Sequence, residues 1–398
     1  MSGKFTLTSI GIALLLIAGC EKIATPLVTQ PDEVFGTGEL LPSGSLVEGQ
    51  YIIVLRQREL SLGKSKAAVS DIAASIFADN KVAEATVEIV YTHALAGFMA
   101  RMSELDAIKL EADPRVKYIE QDKVIALAPP PGKGKPPKDD GGGETSQETP
   151  WGIVRVGGAT DGSGKTAWVI DTGIDLKHDD LNVDVGRSVN FVTRSKDSPN
   201  DGHGHGTHVA GTIAALDNTI DVVGVAAGAA LVAVRVLDNR GSGFYSWVIA
   251  GVDYVAANAA AGDVANMSLG GPPSDALDDA VRNAADRGIL FSLAAGNSGD
   301  DANNYSPARV EHPNVYTVSA IDTSDCLPTW SNYGNPPIEF AAPGVGVLST
   351  KKGGGTTTFS GTSMSAPHVA GLLLLGTVNS DGLACNDPDG NPDSIAHN

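Results

Sequence analysis

From Trp151 onward, short apolar runs alternate with amphipathic stretches, and that alternation restricts the fold more than any other feature of the chain. TAWVIDTG, LVAVRVL at 231–237, DVANMSL, ILFSLAA and VYTVSA each have the length of one buried strand. FYSWVIAGVDYVAANAAA carries apolar residues at helical spacing, and SMSAPHVAGLLLLG is apolar enough for a buried helix. Runs of Val, Ile, Leu and Ala without polar alternation suit strands covered on both faces. Strand alternating with helix then predicts an α/β, three-layer domain with a parallel sheet at its centre. Ligands of such sheets bind beyond the carboxyl ends of the strands.

A different texture precedes it. Residues 129–150 read PPPGKGKPPKDDGGGETSQETP, all proline, glycine and charge. That composition has no apolar face to bury, so 128–150 is read as an exposed, cleavable linker. Upstream, 48–127 gives the order β-α-β-β-α-β. Tyr51–Leu55 is strand-like, Lys66–Phe77 helical, Ala85–Tyr91 strand-like, and a second helical pattern covers Glu104–Ala112. This is the pattern of a small α+β, ferredoxin-like unit. Residues 21–47 read as a tether. The polar tail 379–398, with NDPDGNPD, lacks the acidic spacing of a calcium-binding helix–loop–helix and reads as a capping loop or loose end.

Charge and export bound the partners. Asp and Glu total 47 against 28 Lys and Arg, a net charge of -19. Nucleic acid and anionic membrane surfaces need the opposite balance, so neither is expected as a partner. The first 20 residues, MSGKFTLTSIGIALLLIAGC, read as an export signal, too short for a membrane span. Ile17-Ala18-Gly19-Cys20 resembles the lipobox of bacterial lipoproteins, which implies lipidation at Cys20 and a lipid anchor on the precursor. Cys326 and Cys385 remain. An oxidising compartment permits their pairing, but sequence does not show whether they meet.

Four polar residues sit where such a sheet would place a site. Asp171 ends a strand-like run in VIDTGID, and Asn297 follows another in LAAGNSGD. Ser363 precedes the buried helix in GTSMSAPHVAG, close to free helix N–H groups. DGHGHGTHVAG holds His203, His205 and His208. A zinc helix would space its histidines at i and i+4 and add a glutamate base, and neither is present. A base for a hydroxyl nucleophile needs one imidazole and a carboxylate. Each residue also has a plain reading, as a turn Asp, a turn Asn or a helix N-cap Ser. GSGKT at 162–166 imitates a phosphate loop, but Ala159 stands where that loop needs glycine, and AWVID after it reads as a strand.

Taken together, VIDTGID, HGHGTHVAG, MSLGG, AAGN and GTSMSAPHVAG resemble the motifs of subtilisin-like serine proteases, the subtilase family, in the family's order. SNYG and FAAPG resemble its proteinase K-like branch. The resemblance covers 151–378 and implies a serine endopeptidase acting on polypeptides. Ser363 would be nucleophile and His205 general base, Asp171 would orient His205, and Asn297 would be an oxyanion donor. His203, His208 and His368 would be structural. Gly241, Ser242 and Gly243, with Ser268, Leu269 and Gly270, would pair with an extended substrate. YIIVL, HALAGFMARMS and DPRVKYIEQD resemble the inhibitor-type propeptide of these proteases, which implies an intramolecular inhibitor and cleavage between 125 and 150. The chemistry needs no cofactor. Structural calcium is frequent in the family, and Pro313, Val315 and Glu339 match one site, with Glu where the family usually has Asp. The chain runs 35 residues past Ser363 (398 − 363), shorter than the family's usual length, so reduced closing helices are expected. A catalytically silent peptide-binding relative is the alternative, but such forms lose at least one of the four positions, and here all four are filled.

Overall fold

In a computed structural model of the chain, residues 41–56, 62–127, 146–193 and 197–398 are described. A nine-stranded sheet carries the larger domain. From one edge its order is Asn379–Leu383, Ser394–His397, Ile338–Pro343, Val315–Ile321, Leu290–Ala294, Val264–Met267, Thr166–Asp171, Ala230–Arg235 and Val189–Asn190. Neighbours are parallel except for the antiparallel pair at the first edge.

The apolar runs explain the layers. Side chains alternate across a strand. Trp168 and Ile170 therefore join one cluster with Val232 and Val234, covered by the helices Tyr245–Asn258 and Asp275–Ala285. Ala167 and Val169 face the opposite way, into a cluster with Leu231 and Ala233, covered by His205–Ala214 and Thr362–Leu375. A charged side chain inside a strand buried on both faces would be costly, and the strand end is where it can meet partners. Asp171 is the last residue of its strand.

The smaller unit has the β-α-β-β-α-β order. Its four strands lie in the order Val116–Ala126, Leu46–Leu55, Gly97–Arg101, Thr86–Tyr91, and a fifth, Ser242–Phe244, is supplied by the larger domain. Both helices open on a serine whose side chain accepts a backbone N–H, Ser65 from Ala68 and Ser103 from Asp106. The first strand begins at Leu46, with Val47 fully buried, so the unit starts before residue 48. The end of the expected tether is also pinned: Gly44 N–H donates to Val124 O, and Val124 N–H to Ser45 O.

GSGKT leads, as expected, into a strand, which starts at Thr166. Two further boundaries differ from expectation. The linker was expected to run to residue 150, but Gln147 and Glu148 already pair with Thr219 and Asp221. The tail is not a loose end. It contributes the two strands Asn379–Leu383 and Ser394–His397, and a disulfide joins Cys326 to Cys385. The helical and strand patterns missed it because only Ala384, Ile395 and Ala396 turn apolar side chains inward. Among the described residues no helix is long and apolar enough to cross a membrane.

The disulfide closes a loop of 59 residues and holds an edge pair with few apolar contacts. Replacing both cysteines by serine is expected to cost about 2–4 kcal/mol. The measurement is the urea midpoint, together with faster proteolytic trimming of residues 379–398.

Candidate active site

The Asp171 carboxylate is fully buried, and the charge is met by directed donors. His205 Nδ1 lies 2.9 Å from both carboxylate oxygens, and Thr172 N–H donates to Oδ1 at 2.6 Å. His205 opens the helix His205–Ala214, and glycines let that helix end approach the strand end. A Cβ on Gly206 would fall 2.1 Å from Gly173 O and 3.2 Å from Asp171 Cβ. Gly173 itself has φ +100°, which only glycine adopts without strain. Asp201 braces the same turn, accepting from Thr172 Oγ1, from the N–H groups of His203, Gly204 and Thr207, and from Thr207 Oγ1. Burial alone lowers the His205 pKa. The charge and hydrogen bond of Asp171, and the charge of Asp201, outweigh it and hold the pKa above the ordinary histidine value.

Ser363 is the second residue of the helix Thr362–Leu375. Pro367, four residues on, has no N–H to give the Ser363 carbonyl. That carbonyl accepts from Ser268 Oγ at 2.7 Å instead, and Ser363 Oγ donates to Ser268 O at 3.0 Å. A proline inside the helix thus ties the start of the helix to the end of the strand Val264–Met267. Asn297 stands beside them. Its Oδ1 accepts from both Thr362 N–H and Thr362 Oγ1, which fixes the amide orientation, with Nδ2 as the donor end beside Gly361. Asn297, Ser363, Ser268, Leu269 and Gly270 line one cavity of about 220 Å³.

The groove leading to that cavity is filled by the chain itself. Val124, Ile125 and Ala126 pair antiparallel with Phe244, Gly243 and Ser242, and Leu127 N–H donates to Gly241 O. Gly243 must be glycine, since a Cβ there would lie 2.4 Å from Val236 O. Three acids anchor the smaller unit nearby. Asp253 accepts from the N–H groups of Thr92, His93 and Ala94. Glu120 and Asp122 accept from Ala276 and Ser246 N–H, at the first turns of two helices. Sequence reading missed these three because each is an ordinary surface acid until the two units meet.

Of the histidines expected to be structural, His208 and His368 are buried, and burial lowers the pKa of each, to about 3 and about 4. His203 differs: its ring is exposed at the groove, 6.3 Å between centroids from that of His205. Cys20 lies outside the described residues.

Two places have the chemistry of a hard cation. Glu339 Oε2 accepts from Thr317 N–H beside Val315, and burial pushes its carboxyl up to about 8. The second has no sequence motif. Gln147 Nε2 donates to Leu216 O, Asn218 Nδ2 donates to Asp180 Oδ1, and Val222 N–H donates to Asp180 Oδ2. Turning the two carboxamides over would give an all-oxygen set around Asp180, whose pKa burial raises to about 6. The residues there fit a calcium ion better than Glu339 does.

Comparison with known proteins agrees with this geometry. The model of the subtilase family matches residues 162–380, and that of the peptidase inhibitor I9 family matches 50–128. The chain belongs to the subtilase family. This subtilase is 40% identical over 359 residues to alkaline serine exoprotease A of Vibrio alginolyticus, covering 87% of this chain and 63% of that longer protein. It is 38% identical to subtilisin NAT of Bacillus subtilis subsp. natto, covering 83% of this chain and 81% of the relative. A crystal structure of a cold adapted subtilisin-like serine proteinase matches with TM-score 0.54 at 41% identity, covering 62% of this chain and 97% of that one. It is a subtilisin-like serine protease carrying its own I9 segment.

The double hydrogen bond from Thr362 gives a test of the Asn297 amide. Thr362→Val keeps the shape and removes the hydroxyl donor. It is expected to lower kcat about tenfold with little change in KM, while Thr362→Ser restores most of the loss. Peptide hydrolysis kinetics on the three proteins measure it.

Proposed function

We propose that this subtilase is an exported endopeptidase that hydrolyses polypeptides through an acyl-enzyme and is made as a self-processing zymogen. One observation carries the reading. The chain's own segment Val124–Leu127 lies as an extended strand against Gly241–Phe244, running toward the cavity lined by Ser363 and Asn297. A substrate backbone would bind by the same strand addition.

In this reading Ser363 Oγ swings from Ser268 O to His205 Nε2, gives up its proton there and attacks the scissile carbonyl carbon. The carbonyl oxygen takes the negative charge and receives hydrogen bonds from Asn297 Nδ2 and Ser363 N–H. Collapse breaks the C–N bond, and the imidazolium returns its proton to the leaving amine. Water, deprotonated by His205, then releases the acyl group. Asp171 keeps the imidazole oriented and stabilises its charge. The raised His205 pKa has a stated sign: the base is lost as pH falls through a value above that of an ordinary histidine.

Residues 1–20 would direct export, and a lipid on Cys20 would anchor the precursor. Because that anchor precedes the inhibitor segment, cleavage in the linker would free the mature enzyme. A structural calcium would sit at the Asp180 cluster. The deciding experiment is mass spectrometry of the full chain with Ser363 and with Ser363→Ala. Cleavage between 125 and 150 in the first protein alone is expected. Identical processing of both would assign the cut to another protease.

The inhibited complex is expected to loosen as pH rises. Burial pushes Asp122 up to about 7, with the Glu120 charge adding to it and hydrogen bonds from Ser246 and Lys123 opposing it. Free of the complex, an aspartate titrates near 4. Between these values the complex holds the extra proton, so raising pH through that window weakens it, by up to about tenfold per pH unit. Inhibition constants of the separated segment from pH 4.5 to 8, flat for Asp122→Asn, would show it.

A further inference from the structure

The catalytic reading uses one histidine of DGHGHGTHVAG and buries another. His203 is left over, and its position is not that of a scaffold residue. Its ring is exposed at the groove. It stands across Gly241 from the chain's own inhibitory strand: a Cβ built on Gly241 would lie 3.3 Å from His203 Nε2 and 3.1 Å from Leu127 Cδ1. Leu127 donates its N–H to Gly241 O, so its side chain marks where one substrate residue would sit. The imidazole and the side chain of that residue flank the same glycine.

We infer that His203 is a specificity-determining residue, whose neutral ring accepts an apolar side chain at the Leu127 position and whose protonated ring favours a carboxylate there. The inference rests on the endopeptidase reading. A histidine is the side chain that changes charge under mild conditions. Four ionisable groups act on it. Partial removal from bulk water by the groove walls, the strongest effect, pulls its pKa below the ordinary value; the His205 charge acts the same way, while the charges of Asp171, Asp201 and Asp238 oppose both. The chain's own leucine at this place suits the neutral ring, which keeps the segment bound where the imidazole is uncharged.

The test uses enzyme matured from the full chain and three peptides that differ only at the Leu127 position, carrying Leu, Gln or Glu. The quantity read is the ratio of kcat/KM for Glu over Gln from pH 8.5 down to 5.5. Titration of His205 cancels in that ratio, and the peptide glutamate stays mostly ionised over the range. In the native enzyme the ratio is expected to rise about three- to fivefold as pH falls, the size of a partly exposed ion pair. In His203→Gln and His203→Asn it is expected to stay flat. A flat ratio in the native enzyme, or an equal rise in both variants, overturns the inference while leaving the protease reading intact. Failure of the native enzyme to cleave any of the three peptides overturns the protease reading, and this inference with it.

Discussion

A buried carboxylate organises the catalytic face of this subtilase. Asp171 ends a strand whose every other residue but Thr166 is sealed in the core. Leaving such a charge without its partner costs about 3–5 kcal/mol. Its compensation demands a donor on each side, and those donors come from the Thr172 turn and from His205. The close approach then requires glycine at 173 and 206. Asp201 holds the turn that carries His205. The placement of His205 thus follows from the need to satisfy one charge at the end of a buried strand.

The Ser363 side of the site is built on a missing donor. Pro367 interrupts the hydrogen-bond ladder of an otherwise buried helix, and the carbonyl it leaves free belongs to Ser363. Ser268 fills the gap with its hydroxyl and in turn accepts from Ser363 Oγ through its carbonyl. Two elements that are far apart in sequence are locked in register by this exchange. The I9 segment then uses the same groove. Its last strand adds to Ser242–Phe244, and its carboxylates cap helix starts beside it. A substrate-like hold on the cleft follows from this backbone pairing together with the carboxylate anchors.

Much of this was legible in the chain. The mostly apolar runs at 166–171, 230–235, 264–267, 290–294 and 315–321, without regular polar alternation, gave their strands away because both faces are buried. The strand Ile338–Pro343 and the edge pair at 379–397 were not legible, because their sequences mix polar residues and prolines and their pairing is decided by what lies next to them. His203 was expected to be structural, like His208 in the same motif, yet His208 lies in the core and His203 at the groove. Local sequence does not separate them: which histidine is buried depends on the direction in which the helix starting at His205 enters the domain.

The sequence by itself determined the fold class, the two-unit order, the family motifs and the residue types at positions 171, 205, 297 and 363. Those are properties of periodicity and of short motifs, and both are local. Only the tertiary structure decided that Cys326 meets Cys385, that Asp253, Glu120 and Asp122 hold the inhibitory unit, and that Gln147, Asp180 and Asn218 gather around one centre. Each of these is a contact between segments far apart in the chain. The first is a covalent bond, and in the others a charge or polar group leaves water at a cost that its hydrogen-bond partners offset, so no residue can show that it will be so placed until the rest of the fold has closed over it.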